Sequence, residues 1–91
     1  MTEVEKPALP QQWWLYVLQC ADGSLYCGIT TDLDKRLEKH NKGTGARYTR
    51  GRGPLTLLRS WPYENMSAAL KAEVAFKALS RRAKDLRLAA A

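Results

Sequence analysis

The sequence of 91 residues is poor in the residues that build metal centres and disulfide frameworks. Its two cysteines and one histidine are too few for a network of disulfides or for a four-coordinate structural zinc site. The longest apolar run, from Trp13 to Leu18, has six residues, whereas a membrane-spanning helix needs about 20. The N-terminus has no segment in which charged residues precede an apolar run, the pattern that is typical of a secretory signal. We therefore expect a cytoplasmic protein that does not enter a membrane.

Several catalytic patterns are also missing. The sequence contains no Ser-His-Asp arrangement, no Walker phosphate loop and no Gly-x-Gly-x-x-Gly motif. Acidic residues are scarce as well, since nine Asp and Glu stand beside fifteen Lys and Arg and give a net charge of +6. Such a balance is typical of proteins with a polyanionic partner, nucleic acid first, although it can also serve solubility alone.

Composition and length together indicate one small globular domain. Apolar residues make up 45% of the chain and charged residues 26%, which is ordinary for a soluble domain and too apolar for a disordered chain. Residues 1–12 are polar and contain two prolines. We expect them to form a flexible N-terminal arm, followed by a single domain over residues 13–91.

The first folding signal is a β-hairpin. Residues 13–20 are aromatic and β-branched, residues 21–23 have the sequence Ala-Asp-Gly, and residues 24–30 form a second short run of strand-forming residues. This pattern is typical of two antiparallel strands joined by a tight turn. The loop could have two residues or three, and a three-residue loop would hold Gly23 in the left-handed conformation.

The length of the loop decides which side chains share a face of the hairpin, because side chains alternate along a strand. With three loop residues, Tyr16 lies opposite Gly28, and Tyr16 and Tyr26 share one face. Cys20 and Cys27 then point to opposite faces and should stay reduced. A two-residue loop would separate the tyrosines and mix apolar with polar residues, so we predict the three-residue loop. The apolar face of the hairpin then carries Leu15, Val17, Leu25, Cys27 and Ile29.

A helix and a loop follow the hairpin. Thr31 and Asp34 have the spacing of a capping box, and apolar residues recur behind them at helical spacing. These signals predict a helix from about residue 32 to 42, ended by Gly43. Residues 43–54 contain four glycines and three arginines and predict a loop.

The last third of the chain predicts one strand and two helices. The strand covers residues 55–63, and the second helix runs from 68 to about 78, capped by Asn65 or Ser67. A third helix starts at Ser80. The inner face of the second helix is expected to carry Leu70, Val74 and Phe76. The order β-β-α-β-α-α predicts an α+β fold, a three-stranded antiparallel sheet flanked by helices.

Arg36 and His40 are one helical turn apart and share a face of the first predicted helix. A partly buried arginine beside the hairpin is costly unless it meets an anion, and a phosphate can accept two parallel hydrogen bonds from one guanidinium. Two simpler alternatives stay open. Arg36 could form a surface ion pair with Asp32, and His40 could be a partly buried structural histidine.

The two tyrosines and one carboxylate are further candidates. Tyr16 and Tyr26 are diagonal neighbours on the less apolar face, where Gly28 would leave backbone open to a ligand, although strand tyrosines usually serve packing. Glu73 lies close to the apolar stripe of the second helix. A lone carboxylate there could hold one Mg²⁺ that keeps several waters, or it could pair with Lys77 one turn later.

Basic residues concentrate in the loop and in the third helix. Between residues 42 and 59 the chain has five basic residues, ending with Arg59, and no acidic one. Phosphate contacts by such residues supply non-specific nucleic-acid binding, although a basic run can also be only a solvated face. The candidate nucleic-acid contacts are Lys42, Arg47, Tyr48, Arg50, Arg52, Arg81 and Arg82.

Taken together, these residues resemble the GIY-YIG nuclease superfamily, above all its small, stand-alone bacterial members. The two signature segments correspond to Trp14-Leu15-Tyr16 and Tyr26-Cys27-Gly28. Arg36 matches the family's helix arginine, His40 the histidine one turn later, and Glu73 the metal-binding glutamate. The similarity covers about residues 13 to 82. The first segment keeps only its tyrosine, a cysteine replaces an aliphatic residue in the second, and the asparagine that many members have after the metal-binding helix has no counterpart.

The resemblance implies a metal-dependent endonuclease that hydrolyses DNA phosphodiester bonds. It implies a single Mg²⁺ or Mn²⁺ held by Glu73, and one tyrosine that serves as the general base or positions it. Arg36 and the metal would supply the positive charge that a tyrosine needs to act at neutral pH. The catalytic residues would be Tyr16, Tyr26, Arg36 and His40.

A second interpretation is a non-catalytic nucleic-acid-binding module that retains the nuclease fold. The basic loop and the cluster of Arg81, Arg82 and Lys84 would suffice for phosphate contacts. We expect no separate DNA-binding region in the chain, so an unidentified protein partner could supply specificity in either case.

Overall fold

The computed structural model describes residues 12–90. The elements are strands β1 (Trp13–Gln19) and β2 (Leu25–Thr30), helix α1 (Leu33–Asn41), a 3₁₀ turn (Arg47–Thr49), strand β3 (Thr56–Tyr63), and helices α2 (Met66–Lys77) and α3 (Arg81–Ala89). This β-β-α-β-α-α order confirms the predicted fold class. The predicted arm, residues 1–12, lies outside the described residues except for residue 12.

β1 is the central strand of an antiparallel sheet with the order β2-β1-β3, so β2 forms one edge. In the hairpin, Tyr16 pairs with Gly28, and the Cys20 N–H donates to the Ser24 carbonyl at 2.8 Å. Gly23 has a φ of 87°, the left-handed conformation that a three-residue loop needs. The predicted loop length and register are therefore confirmed.

The alternation of side chains gives the sheet two buried faces. The face under α2 and α3 has a core of Leu15, Val17, Cys27 and Phe76, with Leu25, Ile29, Trp61 and Leu88 packed against it. The face under α1 has a core of Tyr16, Leu18, Cys20 and Leu55, with Tyr26, Leu33 and Leu37 packed against it. The two cysteines, both free thiols, lie in different cores and so point to opposite faces, as predicted.

The start of α1 differs from the predicted capping box. Asp32, not Thr31, caps the helix, because its carboxylate accepts a hydrogen bond from the Lys35 N–H at 3.1 Å. The hydroxyl of Thr30 accepts from the Asp32 N–H at 3.1 Å and so fixes the residue before the helix. The end of α1 is as predicted, since Gly43 follows it with a φ of 80°.

α2 begins at Met66, two residues earlier than predicted. Asn65 caps it by accepting the Ala68 N–H at 2.8 Å, which decides between the two predicted caps. Leu70 is 41% exposed and Val74 68% exposed, so the prediction that both face inward is wrong. Alanines let α2 lie close to the sheet, and the stripe that meets it carries Ala69, Ala72 and Phe76.

α3 starts as predicted, with the Ser80 hydroxyl accepting the Ala83 N–H at 3.1 Å. In residues 12–90 there is no helix with the length and apolarity needed to cross a membrane.

Candidate active site

The hydroxyl of Tyr16 is held between two side chains of α1. Tyr16 lies on the central strand and is 2% exposed. Its hydroxyl oxygen accepts a hydrogen bond from Arg36 Nε at 3.3 Å and lies 2.9 Å from His40 Nε2. One face of α1 therefore brings both predicted side chains to the tyrosine. Asp32 serves as the cap of α1, and Arg36 faces the sheet instead of forming an ion pair with Asp32.

His40 is 1% exposed, and its second ring nitrogen also has a partner. Nδ1 lies 2.8 Å from Thr49 Oγ1, and the Thr49 hydroxyl donates to the Ala46 carbonyl at 2.9 Å. Thr49 is itself 1% exposed, although the loop around it is largely exposed. Thr49 is not among the predicted site residues, because no spacing in the sequence marks a loop threonine as the partner of a helix histidine.

Tyr26 completes an aromatic cluster on the same face as Tyr16, as predicted. Its ring centroid lies 6.3 Å from that of Tyr16, 5.1 Å from that of His40 and 6.0 Å from that of Tyr48. The Arg52 guanidinium lies 4.4 Å from the centroid of Tyr48. The half-buried Tyr26 thus lies between the buried pair, Tyr16 and His40, and the more exposed Tyr48.

Two glycines leave the space that this cluster fills. A Cβ at Gly28 would lie 2.8 Å from the Tyr16 hydroxyl, and a Cβ at Gly45 would lie 2.5 Å from His40 Nδ1. Both distances are too short for a side chain without a shift of its neighbours. The prediction that Gly28 leaves open backbone for a ligand is therefore wrong, because the Tyr16 hydroxyl occupies that side of the strand.

Burial keeps the two central groups neutral. It raises the pKa of Tyr16 to about 12, against the opposite effect of the Arg36 hydrogen bond and charge. Burial also lowers the pKa of His40 below its usual 6.5, and the positive charge of Arg36 lowers it further. Arg36 thus favours ionisation of Tyr16, but burial outweighs this effect in the free protein. At neutral pH Tyr16 keeps its proton, and His40 has one nitrogen that can accept a proton.

The lowered pKa of His40 predicts acid destabilisation. Between its folded-state pKa and 6.5 the unfolded chain binds more protons, so the free energy of unfolding should fall as the pH drops below about 6.5. The groups that face the imidazole are Tyr16 on β1, Tyr26 on β2 and Arg36 on α1. The raised pKa values of Tyr16 and Arg36 keep each of these two in one protonation state over this pH range. Urea unfolding at a series of pH values measures the effect. The variant His40→Gln should lack this component, and an identical pH dependence in the variant would contradict it.

Glu73 lies on α2, which packs on the face of the sheet opposite to α1. Its carboxylate pairs with Lys77 Nζ at 3.2 Å, and its side chain is 16% exposed. This ion pair is one of the two alternatives that the sequence left open. Within residues 12–90, Glu73 forms no hydrogen bond or ion pair with Tyr16, Arg36 or His40.

A groove at the edge strand β2 joins the two faces of the sheet. Tyr26 belongs to the α1 face and Lys77 to α2, yet both line this groove, because among the described residues no strand lies beyond β2. Lys77, the partner of Glu73, therefore reaches the same groove as the second signature tyrosine. The full lining is Leu25, Tyr26, Cys27, Tyr48, Phe76, Lys77 and Lys84.

Glu73 fits a hydrated cation better than a closed metal centre. Among residues 12–90 there is no group of three or more His, Cys, Asp or Glu side chains suited to a metal ion. Mg²⁺ usually keeps several waters and needs only one or two carboxylates. Glu73 offers one carboxylate, and its partner Lys77 lines the groove, whereas structural zinc would need four protein ligands.

The predicted nucleic-acid contacts fall into two groups. Among the predicted contacts, Arg47, Arg50 and Arg82 are exposed and form no ion pair within the described residues. Tyr48 is 43% exposed. These residues are free to meet an anion.

The other three predicted contacts have intramolecular partners. Lys42 pairs with Glu38 at 3.2 Å, Arg52 with Asp22 at 2.7 Å and Arg81 with Asp85 at 3.0 Å. All three pairs are largely exposed, and solvent screening makes the contribution of such pairs to stability small. A phosphate can therefore replace the carboxylate at little cost.

Arg59 does not belong with the exposed arginines of the loop. The β1–β3 register shifts between Val17 and Leu18, and Arg59 pairs with Val17 on the face under α2 and α3. Its Nη1 donates to the carbonyls of Leu88, at 3.2 Å, and Ala90. These are carbonyls at the end of α3, which cationic side chains stabilise.

The family model described as the GIY-YIG catalytic domain matches residues 12–86, a span that includes both tyrosines, Arg36, His40 and Glu73. The chain belongs to the GIY-YIG family. Similar proteins are UPF0213 proteins of bacteria. One from Vibrio cholerae is 50% identical over 78 residues, which are 85% of this chain and 77% of the relative. One from Streptococcus sanguinis is 52% identical over 71 residues, 78% of this chain and 82% of the relative.

Solved structures agree with this membership. The solution NMR structure of a UPF0213 protein from Bacillus halodurans is 45% identical, with a TM-score of 0.57, and the match covers 85% of this chain and 82% of that one. The solution NMR structure of a protein from E. faecalis is 44% identical, with a TM-score of 0.61, and covers 88% and 85%. This GIY-YIG domain therefore shares its fold with small bacterial proteins of similar length.

Proposed function

We propose that this GIY-YIG domain is a metal-dependent endonuclease that hydrolyses phosphodiester bonds in DNA. One observation carries the proposal, namely the Tyr16 hydroxyl held between the Arg36 guanidinium and a nitrogen of His40. A hydroxyl between a cation and a proton acceptor can take a proton from water while it passes its own proton on. The match to a catalytic domain supports the same class of reaction.

The proton path follows from the two pKa values. With a pKa of about 12, Tyr16 is not ionised at neutral pH and needs an acceptor for its proton. In the proposed step, water transfers a proton to the Tyr16 oxygen while Tyr16 transfers its own proton to His40 Nε2. The water oxygen bonds to phosphorus, the bond from phosphorus to the leaving oxygen breaks, and the leaving oxygen takes a proton from solvent.

Arg36 has two tasks in this proposal. Its Nε donates to Tyr16 and stabilises negative charge that develops on the hydroxyl oxygen. A guanidinium carries five N–H donors, so other N–H groups of Arg36 can meet the oxygens of the scissile phosphate. Charge stabilisation of this kind is commonly the largest single contribution to catalysis.

Glu73 would hold the Mg²⁺ or Mn²⁺ ion, and Lys77 would then release the Glu73 carboxylate. When bound, the ion supplies Lewis-acid stabilisation of charge on the leaving oxygen. Tyr26 and Lys77, the ion-pair partner of Glu73, line the same groove at β2. The exposed Arg47, Arg50 and Arg82 would hold neighbouring phosphates of the DNA.

The second candidate function is a nucleic-acid-binding module without catalysis. The exposed arginines of the loop favour it, because phosphate contacts alone give non-specific affinity. The neutral, buried state of Tyr16 and His40 would then be only structural. An unidentified protein partner supplying specificity is compatible with both candidates.

Metal removal tests the proposed function directly. Purified protein should nick supercoiled plasmid with Mg²⁺ or Mn²⁺ and lose this activity in EDTA. Glu73→Gln should lower the nicking rate at limiting Mg²⁺ at least about tenfold, because a carboxylate ligand is removed while the helix packing stays. Lys77→Met is the matched control, since it breaks the same ion pair but keeps the carboxylate and should keep the Mg²⁺ requirement. Tight DNA binding without nicking under any metal condition would favour the binding module.

A further inference from the structure

The loop between α1 and β3 contains a buried polar side chain to which the proposed reaction assigns no role. Thr49 is 1% exposed and lies between Arg47 and Arg50, two of the exposed arginines. A threonine hydroxyl can stay in solvent at no cost, so its burial against the catalytic imidazole needs a reason. The contacts of Thr49 supply one, because they fix where the protons of His40 lie.

The hydrogen bonds around His40 allow one consistent arrangement of protons. The hydroxyl of Thr49 has a single proton, which it donates to the Ala46 carbonyl at 2.9 Å. Its oxygen can therefore only accept from His40 Nδ1, 2.8 Å away, so Nδ1 carries a proton. A neutral imidazole then has no proton on Nε2, and Nε2 accepts from the Tyr16 hydroxyl at 2.9 Å.

The other neutral tautomer breaks this arrangement. With the proton on Nε2, the ring would donate to Tyr16 and Nδ1 would need a donor. Thr49 would have to turn its hydroxyl toward Nδ1 and leave the Ala46 carbonyl without this partner. In the Nδ1–H tautomer Tyr16 donates to His40, His40 to Thr49 and Thr49 to the Ala46 carbonyl. Of the two neutral tautomers, only this one leaves Nε2 able to receive a proton from Tyr16.

The backbone of the loop is fitted to the same edge of the ring. Gly45 lies so close that a Cβ would be 2.5 Å from Nδ1, and the Thr49 N–H also donates to the Ala46 carbonyl at 3.1 Å. The Thr44 N–H donates to the Lys39 carbonyl at 3.0 Å, which anchors the start of the loop to α1. Residues 45–49 therefore close around the Nδ1 edge of the ring.

We propose that Thr49 is a positioning residue that holds His40 in the Nδ1–H tautomer and so keeps Nε2 available for the proton of Tyr16. The tautomer assignment stands on the hydrogen bonds alone, and its consequence for cleavage rests on the proposed nuclease function. Because Arg47 and Arg50 flank Thr49, the loop that would contact DNA also orients the imidazole.

The single histidine of the chain makes the tautomer directly measurable. In a proton–nitrogen correlation spectrum at neutral pH, the two ring nitrogens of His40 differ in shift according to which one is protonated. The parent protein should show the proton on Nδ1. Thr49→Val, which keeps the shape but cannot accept the bond, should shift the population toward Nε2–H and lower nicking about tenfold to a hundredfold, as for other residues that orient a functional imidazole.

Two further variants separate positioning from folding. Thr49→Ser keeps the hydroxyl and should restore both the Nδ1–H signature and the nicking rate. Thr44→Val, an exposed threonine of the same loop whose hydroxyl meets only the Lys39 carbonyl, should leave both unchanged. If Thr49→Val does not fold, the parental spectrum still decides, because a parent with its proton on Nε2 overturns the proposal. An unchanged tautomer and rate in folded Thr49→Val overturns it as well.

The two proposals fail in distinguishable ways. A parent that shows the Nδ1–H tautomer but nicks no DNA overturns the nuclease function and supports the tautomer assignment. A parent that nicks DNA with its histidine in the Nε2–H form overturns the role of Thr49 and leaves the nuclease function standing.

Discussion

Tyr16→Phe should lower the rate of plasmid nicking by about 10²–10⁴-fold, the usual loss when a group that transfers a proton in the transition state is removed. The hydroxyl is the only atom changed, and it is the atom that lies 2.9 Å from His40 Nε2 and accepts from Arg36 Nε. Phe fills the same space over Gly28. The change leaves a buried imidazole nitrogen without its donor, so we expect a destabilisation of about 1–3 kcal/mol and a retained fold.

Tyr26→Phe is the matched control for this variant. It removes the corresponding hydroxyl from Tyr26. The Tyr26 ring packs on both Tyr16 and His40, but it is only half-buried. We expect a smaller loss of rate, because Tyr26 does not separate Arg36 from His40. Rates are compared after circular dichroism confirms folding and at saturating DNA. A parental rate in Tyr16→Phe, or a greater loss in Tyr26→Phe, would contradict the assigned proton path.

Arg36→Ala should lower nicking by about 10²–10³-fold while DNA affinity falls only slightly. Its guanidinium acts on charge that develops in the transition state, whereas ground-state affinity is shared among many basic side chains. Arg36→Lys keeps the charge but loses the planar fork of donors, so it should recover binding more than rate. Nicking at saturating DNA and a binding titration on the same preparations measure the two effects.

The double variant Arg47→Ala/Arg50→Ala should behave in the opposite way. Both side chains are exposed, and within the described residues neither forms a hydrogen bond with the Tyr16 hydroxyl. Their removal should therefore weaken binding and leave the rate on saturated DNA nearly unchanged. For each phosphate of duplex DNA that the variant no longer binds, the slope of log K against log salt should flatten by roughly 0.9. An unchanged salt slope would show that this loop does not face DNA, and equal loss of affinity in Arg36→Ala would show that Arg36 acts in binding and not in catalysis.

Much of the candidate site follows from local rules that the sequence obeys. The period of two along a strand and one glycine suited to positive φ set the hairpin register, which puts Tyr16 and Tyr26 on one face. The helical period puts Arg36 and His40 on one side of α1. Neither rule needs long-range information, because each depends only on residues a few positions apart in the sequence.

The errors occur where a choice depends on what packs from elsewhere. Leu70 and Val74 have helical spacing and are apolar, yet α2 turns its alanines and Phe76 to the sheet because small side chains allow the closest approach. The missing side chain at Gly28 makes room for the Tyr16 hydroxyl across the hairpin and not for a ligand. Arg59 leaves the basic run because a register shift in β3 turns it toward the end of α3.

The sequence by itself determined the element order, the hairpin register and the faces on which the candidate residues lie, because these depend on residues a few positions apart. The tertiary structure decided that the Tyr16 hydroxyl meets His40 and Arg36, that Thr49 meets Nδ1 of that histidine, and that Lys77 places the Glu73 pair at the groove of the edge strand. Each of these contacts joins different elements within a few ångströms, and hydrogen-bond directions and burial at that scale depend on how the helices and the loop pack on the sheet.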